Sequence, residues 1–247
     1  MDLWKYFAVG HANHYFMNPL SGAKFDEIID MLRLAPGARV LDIACGKAPL
    51  LLRIAGRWDC RSVGVELSPA FIEDARRNVE EAELAERIEL LETGGAEYEA
   101  APESFDLACC IGASWIWAGH AGTLRALANW VRPGGLVLVG EPYWRKEPSD
   151  DYLMAMELKR ESFASHSENA DAGAALGLVH LHSIASNEDD WDRYEGLQWD
   201  AAERYAHDNP DDPDNEELLQ RMRAFRESYL RWGRDQLGWA LYLFMKT

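Results

Sequence analysis

The stretch Ala38–Gly56, with the sequence ARVLDIACGKAPLLLRIAG, decides the predicted fold. An apolar run ends near Asp42, small residues follow as far as Ala48, and an apolar helical pattern begins at Pro49. A strand, a tight turn and a helix in this order aim backbone N–H groups and a helix start at one place, where a nucleotide can bind. The stretch therefore predicts the first strand and helix of a nucleotide-binding sheet.

Similar units follow along the chain, because short apolar runs alternate with amphipathic stretches. The predicted strands are Arg39–Ala44, Ser62–Glu66, Ile88–Glu92, Asp106–Ile111, Leu136–Gly140, Leu178–Ile184 and Trp239–Met245. The predicted helices are Phe25–Leu34, Pro49–Gly56, Pro69–Ala85, Ala121–Val131, Asp190–Ala206 and Glu216–Arg234, with a polar helical region over Pro148–Leu176. This alternation is typical of an α/β protein with a mainly parallel sheet. The last strand follows a helix too closely for another crossover, so we expect it to be antiparallel.

Length and composition indicate one sizeable domain. The 247 residues are 48% hydrophobic, which is enough to bury a large core. We expect an N-terminal cap over residues 1–35, a ligand-binding core over 36–141, and an insertion with acceptor-side helices and the final strands over 142–247.

The charge balance narrows the range of partners. The 25 Lys and Arg residues against 42 Asp and Glu residues give a net charge of −17, which repels a phosphate backbone, so no nucleic-acid partner is expected. No apolar run approaches the length that crosses a bilayer, and the N-terminus lacks the pattern of a signal peptide, so we expect a cytoplasmic protein without a membrane partner. The oligomeric state cannot be predicted from the sequence.

An acidic residue stands where a nucleotide ribose is usually bound. Glu66 comes 20 residues after Gly46 and closes the second predicted strand. A carboxylate at that position can accept hydrogen bonds from both ribose hydroxyls. Nicotinamide-dependent oxidoreductases share this arrangement and stay an alternative, although the turn lacks their G-x-G-x-x-G pattern.

These motifs resemble those of the class I S-adenosylmethionine-dependent methyltransferases. Their first motif has an acidic residue followed by three glycines at alternate positions, and here Asp42 is followed by Ala44, Gly46 and Ala48. Alanine is expected to be tolerated at the two outer positions where the backbone angles are ordinary. The resemblance covers nearly the whole chain and implies a Rossmann-like, seven-stranded sheet whose last strand is antiparallel.

The resemblance also implies S-adenosylmethionine as the cofactor, with its methionine part against the first turn and its ribose on Glu66. The acid that often holds adenine in the family is replaced by Gly94 or Gly95, so backbone groups near Ala96, or Glu97, are expected to take its place. The cofactor-binding residues implied in this way are Asp42, Ala44, Cys45, Gly46, Glu66, Leu67, Gly95, Ala96, Glu97, Ile111 and Gly112.

Three longer segments narrow the resemblance. CIGASWIW over 110–117, PGGLVLVGEPYW over 133–144 and WDRYEGLQW over 191–199 look like a group of small bacterial methyltransferases without an assigned substrate. The implied activity is methyl transfer to a small-molecule acceptor. A binding module that holds the cofactor without catalysis is a further alternative, because two glycines and the adenine acid are missing.

Residues for acceptor chemistry are expected above the C-terminal ends of the strands. His120, Glu141 and Tyr143 follow the fourth and fifth strands and could orient the acceptor or take its proton. His14, with its neighbours His11 and Tyr15, lies in an N-terminal segment that could act as a lid. For each of these residues an ordinary structural role is the competing interpretation.

An aromatic wall is a second expectation for this edge of the sheet. Trp115, Trp117, Tyr143 and Trp144 follow the fourth and fifth strands and could surround a flat acceptor, although packing in the core explains each of them equally well. No metal site is expected, because His180 and His182 lack a third ligand at a fixed spacing. Lys47 could contact the cofactor's carboxylate, although exposure is the favoured interpretation.

Four further aromatic residues lie in the region after the fifth strand, namely Trp191, Tyr194, Trp199 and Tyr205. Helical spacing within this group is explained first by a helix that covers the sheet, and a roof over the acceptor pocket is the second interpretation.

Overall fold

The computed structural model describes residues 2–247 and contains one mixed sheet of seven strands in the order β3-β2-β1-β4-β5-β7-β6. The strands are β1 (Ala38–Ile43), β2 (Cys60–Glu66), β3 (Ile88–Glu92), β4 (Phe105–Ile111), β5 (Val131–Trp144), β6 (Leu178–Ala185) and β7 (Leu237–Lys246).

The pairing directions match the predicted sheet. β1 lies between β2 and β4, and all the pairs from β3 to β5 are parallel. β7 is antiparallel to both of its neighbours, β5 and β6. The predicted Rossmann-like fold with an antiparallel last strand is therefore confirmed, and the carboxyl ends of β1, β2 and β4 meet at one edge.

Ten α-helices pack around the sheet among the described residues. They are α1 (Leu3–Gly10), α2 (Gly22–Met31), α3 (Pro49–Arg57), α4 (Pro69–Glu81), α5 (His120–Trp130), α6 (Asp150–Ala155), α7 (His166–Asp171), α8 (Glu188–Asp208), α9 (Asn215–Ser228) and α10 (Arg234–Gln236). Both α3 and α4 begin with proline, whose fixed φ suits a first helical turn and whose missing N–H has no partner to lose there.

Three elements differ from the sequence-based predictions. The N-terminal cap contains the helix α1, which was not predicted. The region Pro148–Leu176 is not continuously helical, because extended residues and one 3-10 turn separate α6 from α7, and a second 3-10 turn follows α7. β5 begins at Val131 rather than Leu136, since the Arg132–Gly135 segment is drawn into the strand with a shift of register against β4.

Apolar side chains cover both faces of the sheet. Leu51 and Ile54 of α3 pack with Phe25 of α2 on one face. Leu127 of α5 packs with Tyr242 of β7 on the other. All five are almost completely buried, so the sheet is held between two apolar layers.

A helical layer made of α1, α8 and α9 stands beside the carboxyl edge of the sheet. Val9 of α1 packs with Ala202 of α8 and Met222 of α9 in a small separate core. At the other end of α1, the ammonium of Lys5 binds Asp212 at 2.8 Å and Asp214 at 2.6 Å, in the acidic turn between α8 and α9. The N-terminal helix is thus fixed by apolar contacts and by two ion pairs.

Within residues 2–247, every helix is too short or too polar to cross a bilayer.

Truncation of a core side chain tests the packing of α3 on the sheet. Leu51 is fully buried, and Leu51→Ala is expected to lower the free energy of unfolding by about 2–5 kcal/mol, through lost apolar contacts and a residual cavity. Urea titration measures this change. Leu181→Ala, at a leucine that is 45% exposed, is the control and is expected to cost less than about 1 kcal/mol. Equal losses in the two variants would contradict the described packing.

Candidate functional site

A cavity of about 540 Å³ lies at the carboxyl ends of β1, β2 and β4. The loops after these strands and after β3 form its floor, and the N-terminal segment with α8 forms its other side. Its lining residues are Trp4, Phe7, His11, Phe16, Met17, Asn18, Phe25, Asp42, Ala44, Cys45, Pro49, Leu50, Val65, Glu66, Leu67, Phe71, Gly94, Gly95, Ala96, Glu97, Ile111, Gly112, Ala113, Trp115, Ile116 and Tyr194. Ten of the eleven residues that the resemblance implied for cofactor binding therefore line this cavity. The eleventh, Gly46, donates its amide to the lining residue Glu66.

The first loop has an unusual backbone. Gly46 has a φ of +56°, and the two alanines at the outer glycine positions are also left-handed, with φ values of +58° at Ala44 and +62° at Ala48. The expectation that alanine is tolerated there through ordinary backbone angles was wrong. A left-handed alanine costs roughly 1–2 kcal/mol, so neighbouring contacts must hold the loop in this shape.

Glu66 joins the end of β2 to the first loop. Its carboxylate accepts a hydrogen bond from the Gly46 amide at 2.9 Å and another from the Ser68 amide at 2.8 Å. Burial raises the pKa of Glu66, and the backbone donors act in the opposite direction. A carboxylate has about four acceptor positions, so two remain for hydroxyl groups of a ligand.

Asp42, at the end of β1, has one buried carboxylate oxygen for which residues 2–247 supply no donor. Its Oδ1 atom has no hydrogen-bond partner, although the residue lines the cavity. Burial raises the pKa of Asp42 well above its usual range, and the nearby Glu66 raises it further. A cationic or N–H-bearing ligand group in the cavity would stabilise the ionised form, since it would supply the missing donor and charge.

The loop after β3 forms a narrow part of the cavity. A Cβ atom at Gly95 would lie only 2.5 Å from Cγ2 of Ile43 and 3.1 Å from Cδ1 of Ile116, so any side chain would collide with the wall. The side chain of Glu97 lies beside Gly94, about 3.4 Å from where a Cβ atom would be. Gly95 therefore packs directly against Ile43 and Ile116, and Leu67 adds apolar surface to this wall of the cavity.

The N-terminal segment covers the first loop. A Cβ atom at Gly46 would lie 2.1 Å from the Met17 Cε atom, so the methionine occupies the space that glycine leaves open. The Asn18 amide donates a long hydrogen bond of 3.4 Å to the Ile111 carbonyl at the end of β4. This segment therefore closes the cavity over the strand ends.

Lys47 connects the first loop to the N-terminal segment. Its ammonium donates to the backbone carbonyls of His11 at 3.0 Å and Ala12 at 3.3 Å, and lies 3.5 Å from Asp74. The side chain is buried, so the expectation that Lys47 is exposed was wrong. The first loop thus supplies a buried donor to two backbone carbonyls of the N-terminal segment.

The four residues predicted to be catalytic all lie outside the cavity lining. His120 is the first residue of α5 and donates through Nε2 to the Asn169 carbonyl at 2.9 Å, while burial lowers its pKa to about 4. The Tyr143 ring packs 5.0 Å from the ring of His166. His14 donates through Nε2 to the Tyr194 carbonyl at 2.9 Å.

Glu141, the fourth of these residues, is a buried acid near the end of β5. Burial raises its pKa to about 7, and a hydrogen bond with Ser114 opposes this shift. Its Oε2 atom has no hydrogen-bond partner. The carboxyl group is therefore easier to protonate than an exposed glutamic acid.

Only Trp115 of the predicted aromatic wall lines the cavity. Trp117 packs against Trp130, and the Trp144 indole donates to the Arg160 carbonyl at 2.8 Å. Of the aromatic residues considered as a roof over the acceptor, Tyr194 lines the cavity. The sequence analysis missed five aromatic residues that other elements bring to the cavity, namely Trp4, Phe7, Phe16, Phe25 and Phe71. One signal was present, because Trp4, Phe7 and His11 are spaced by three and four residues, as on one helix face.

The histidines of β6 have local partners. His180 contacts the Ser183 hydroxyl at 2.8 Å, and the register shifts between His180 and His182. In the part of the chain that the structure describes, no three histidine, cysteine or acidic side chains are grouped as a metal site would require.

Replacement of Glu141 tests the effect of its burial. The pKa of Glu141 is higher in the folded protein, about 7, than in the unfolded chain, about 4.5. Between these two pH values the unfolded chain loses the proton more readily, so Glu141 lowers the free energy of unfolding increasingly as the pH rises. Glu141→Gln removes this penalty, so its stability relative to the wild type should rise by about 2 kcal/mol between pH 5 and pH 8. Denaturant unfolding across this pH range measures the difference. Glu147→Gln, at an exposed glutamate, should follow the wild type at every pH, and a parallel pH profile for Glu141→Gln would refute the effect.

Comparisons with known proteins agree with this geometry. Residues 40–135 match the family model of a methyltransferase domain. The uncharacterised protein YjhP of Escherichia coli is 31% identical over 98% of this chain and 98% of its own length. A methyltransferase of Thiobacillus denitrificans, solved with S-adenosylhomocysteine, is 32% identical with a TM-score of 0.92 over 100% of both chains.

A third relative extends this agreement. A methyltransferase of Geobacter sulfurreducens, also solved with S-adenosylhomocysteine, is 30% identical with a TM-score of 0.92 over 98% of each chain. The predicted family and its cofactor, S-adenosylmethionine, are thereby confirmed, and a nicotinamide-dependent oxidoreductase is not favoured. The chain belongs to the S-adenosylmethionine-dependent methyltransferases, together with YjhP and the two bacterial proteins solved with S-adenosylhomocysteine.

Proposed function

We propose that this chain transfers a methyl group from S-adenosylmethionine to a small-molecule acceptor. The observation that carries this proposal is the Glu66 carboxylate, which is fixed by two backbone amides at the edge of the cavity and keeps acceptor positions for a ligand. The volume of about 540 Å³ lies in the range of small-molecule sites.

Each part of the donor has fitting residues. Glu66 would accept from the ribose hydroxyls, and Asp42 with the Gly46 loop would receive the charged methionine part, because Asp42 has an unpartnered buried oxygen. The wall formed by Leu67, Ala96 and Ile116 would pack against the adenine ring. The remaining contacts are assigned to Ala44, Cys45, Leu67, Ala96, Glu97, Ile111 and Gly112. When bound, the cofactor supplies a methyl group activated by a positively charged sulfur.

The protein's part in the reaction is to align the acceptor and exclude water. Met17 and Asn18 cover the first loop and the end of β4, and Lys47 holds the preceding segment in place. The four residues predicted to be catalytic would act as positioning residues. His14 holds the backbone of Tyr194, and His120 holds α7 through Asn169.

Glu141 and Tyr143 would support the same edge from β5. The net charge of −17 favours a small molecule over a nucleic acid as the acceptor. We further propose that residues 1–35, 36–141 and 142–247 work as one unit, because the cavity is lined by residues from all three segments. The cytoplasm is the proposed location of the protein.

Calorimetric titration with S-adenosylmethionine, S-adenosylhomocysteine and NADH tests the donor site. The wild type is expected to bind the first two and not NADH. Glu66→Gln, which leaves one oxygen for the backbone donors and the ribose together, should weaken S-adenosylhomocysteine binding by at least about tenfold.

Glu92→Gln is the matched control. Glu92 ends the neighbouring strand β3, lies outside the cavity lining and pairs with Arg76 on the surface, so its replacement should leave the affinity within about twofold. Equal affinity in the Glu66→Gln variant, or preference for NADH, would reject the proposed site. A screen of small metabolites with labelled methyl groups then separates an enzyme from a binding module, since a module would transfer no label.

A further inference from the structure

The cavity has a second part that the assigned donor contacts leave free. Aromatic side chains from α1, α4, α8 and the 3-10 turn after β4 line it, and we call them the aromatic roof: Trp4, Phe7, Phe71, Trp115 and Tyr194, with Phe16 between them and the first loop. Trp115 is 71% exposed and Trp4 is 41% exposed, so large apolar surfaces stand open to a ligand at the cavity mouth.

The charged groups of the cavity are all acidic. Asp42, Glu66 and Glu97 line its floor, and none of the described lining residues is a lysine or an arginine. The nearest cation, Lys47, is bound by two backbone carbonyls and Asp74. A phosphate or carboxylate on the acceptor would therefore meet only negative charge in a poorly hydrated space.

A cationic acceptor is also disfavoured. The three acids lie on the floor, where the donor contacts are assigned, and the donor itself carries a positively charged sulfur. A second positive charge beside it would be repelled, whereas an uncharged acceptor meets no such cost.

His11 and Tyr194 provide the polar contact of the aromatic roof, and their hydrogen atoms can be assigned. His11 Nδ1 lies 3.0 Å from the Phe7 carbonyl, which only accepts, so Nδ1 carries the proton. His11 Nε2 lies 3.1 Å from the Tyr194 hydroxyl. In a neutral histidine this nitrogen is an acceptor, so the tyrosine hydroxyl donates its hydrogen to it.

The environment of His11 keeps it neutral. Burial, together with the neighbouring His14 and Lys47, lowers its pKa to about 4. His14 also fixes the Tyr194 backbone carbonyl at 2.9 Å. Tyr194 thus faces the cavity with its hydrogen already used, and its oxygen can only accept a hydrogen bond from a ligand.

We propose that the aromatic roof binds an uncharged, largely apolar acceptor that donates a hydrogen bond from its hydroxyl group to the Tyr194 oxygen. This inference names the acceptor class for the proposed function and rests on it. Aromatic side chains supply the apolar contacts, and Tyr194 selects and orients the hydroxyl. Tyr194 is a specificity-determining residue in this assignment, and His11 is a positioning residue that orients the tyrosine hydroxyl.

The test uses three probes on the full-length protein saturated with S-adenosylhomocysteine. 2-Naphthol has the proposed apolar surface and hydroxyl, 2-methoxynaphthalene lacks the donor hydrogen, and phosphoethanolamine is small and charged. Calorimetry should detect binding of 2-naphthol and none of phosphoethanolamine. 2-Methoxynaphthalene should bind about tenfold more weakly than 2-naphthol, since one hydrogen bond is missing.

Tyr194→Phe keeps the ring and removes the accepting oxygen. It should weaken 2-naphthol binding by about tenfold, leave 2-methoxynaphthalene binding unchanged, and leave S-adenosylhomocysteine affinity within about twofold. Tyr229→Phe is the matched control, because its hydroxyl is also hydrogen-bonded, to Asp192 at 2.6 Å, but lies outside the cavity. It should bind all probes as the wild type does.

The outcomes separate the two proposals. If S-adenosylhomocysteine binds but 2-naphthol does not, or if phosphoethanolamine binds more tightly, the acceptor class is wrong while the proposed function stands. If Tyr194→Phe and the wild type bind 2-naphthol equally, Tyr194 has no part in recognition and the inference falls. If S-adenosylhomocysteine itself fails to bind, the proposed function fails and takes this inference with it.

Discussion

The structure of the candidate site depends on one carboxylate, that of Glu66, which receives the amides of Gly46 and Ser68. These two hydrogen bonds join the end of β2 to the loop after β1 and to the start of α4. They help hold a loop in which three residues are left-handed, two of them alanines. Without a buried acceptor at this place, the loop would have to hold a strained backbone by packing alone.

Asp42, the acid next to Glu66 in the site, differs from it in its hydrogen bonds. Asp42 has the same chemistry and similar burial but an oxygen without a donor. One acid is therefore satisfied by the protein, and the other is left for a ligand. Such a pair explains how a site can be formed in advance by the fold and still gain stability when a cationic group enters.

Much of the fold could be predicted from the sequence, because strand and helix periods were regular from β1 to β5 and a short apolar strand ended the chain. The eleven cofactor positions, apart from Gly46 with its bonded amide, also came together around one cavity, since parallel strands deliver their carboxyl ends to one edge. The acceptor side was different. α1 reaches the cavity only through its packing on α8 and α9, and Tyr194 lies more than a hundred residues after the first loop. Such contacts are tertiary, and the helical spacing of the aromatic residues does not show which part of the fold they face.

The incorrect predictions for Lys47 and His120 also arose from tertiary contacts. Lys47 looked like a surface lysine, but the carbonyls of His11 and Ala12 fold down upon it. His120 looked like a loop histidine, but α5 begins there and buries it against Asn169. In each case the side chain is hydrogen-bonded to a backbone carbonyl from a distant part of the chain, and the sequence did not predict that contact.

The hydrogen bonds from Lys47 to the His11 and Ala12 carbonyls connect the first loop to the N-terminal segment, which is distant from it in sequence. The same short loop that receives the donor also anchors the segment covering it, so floor and cover cannot move independently. Breaking the hydrogen bonds of Lys47 would release the cover and the floor together. The rate at which a bound product leaves would then depend on a lysine that lies outside the cavity lining.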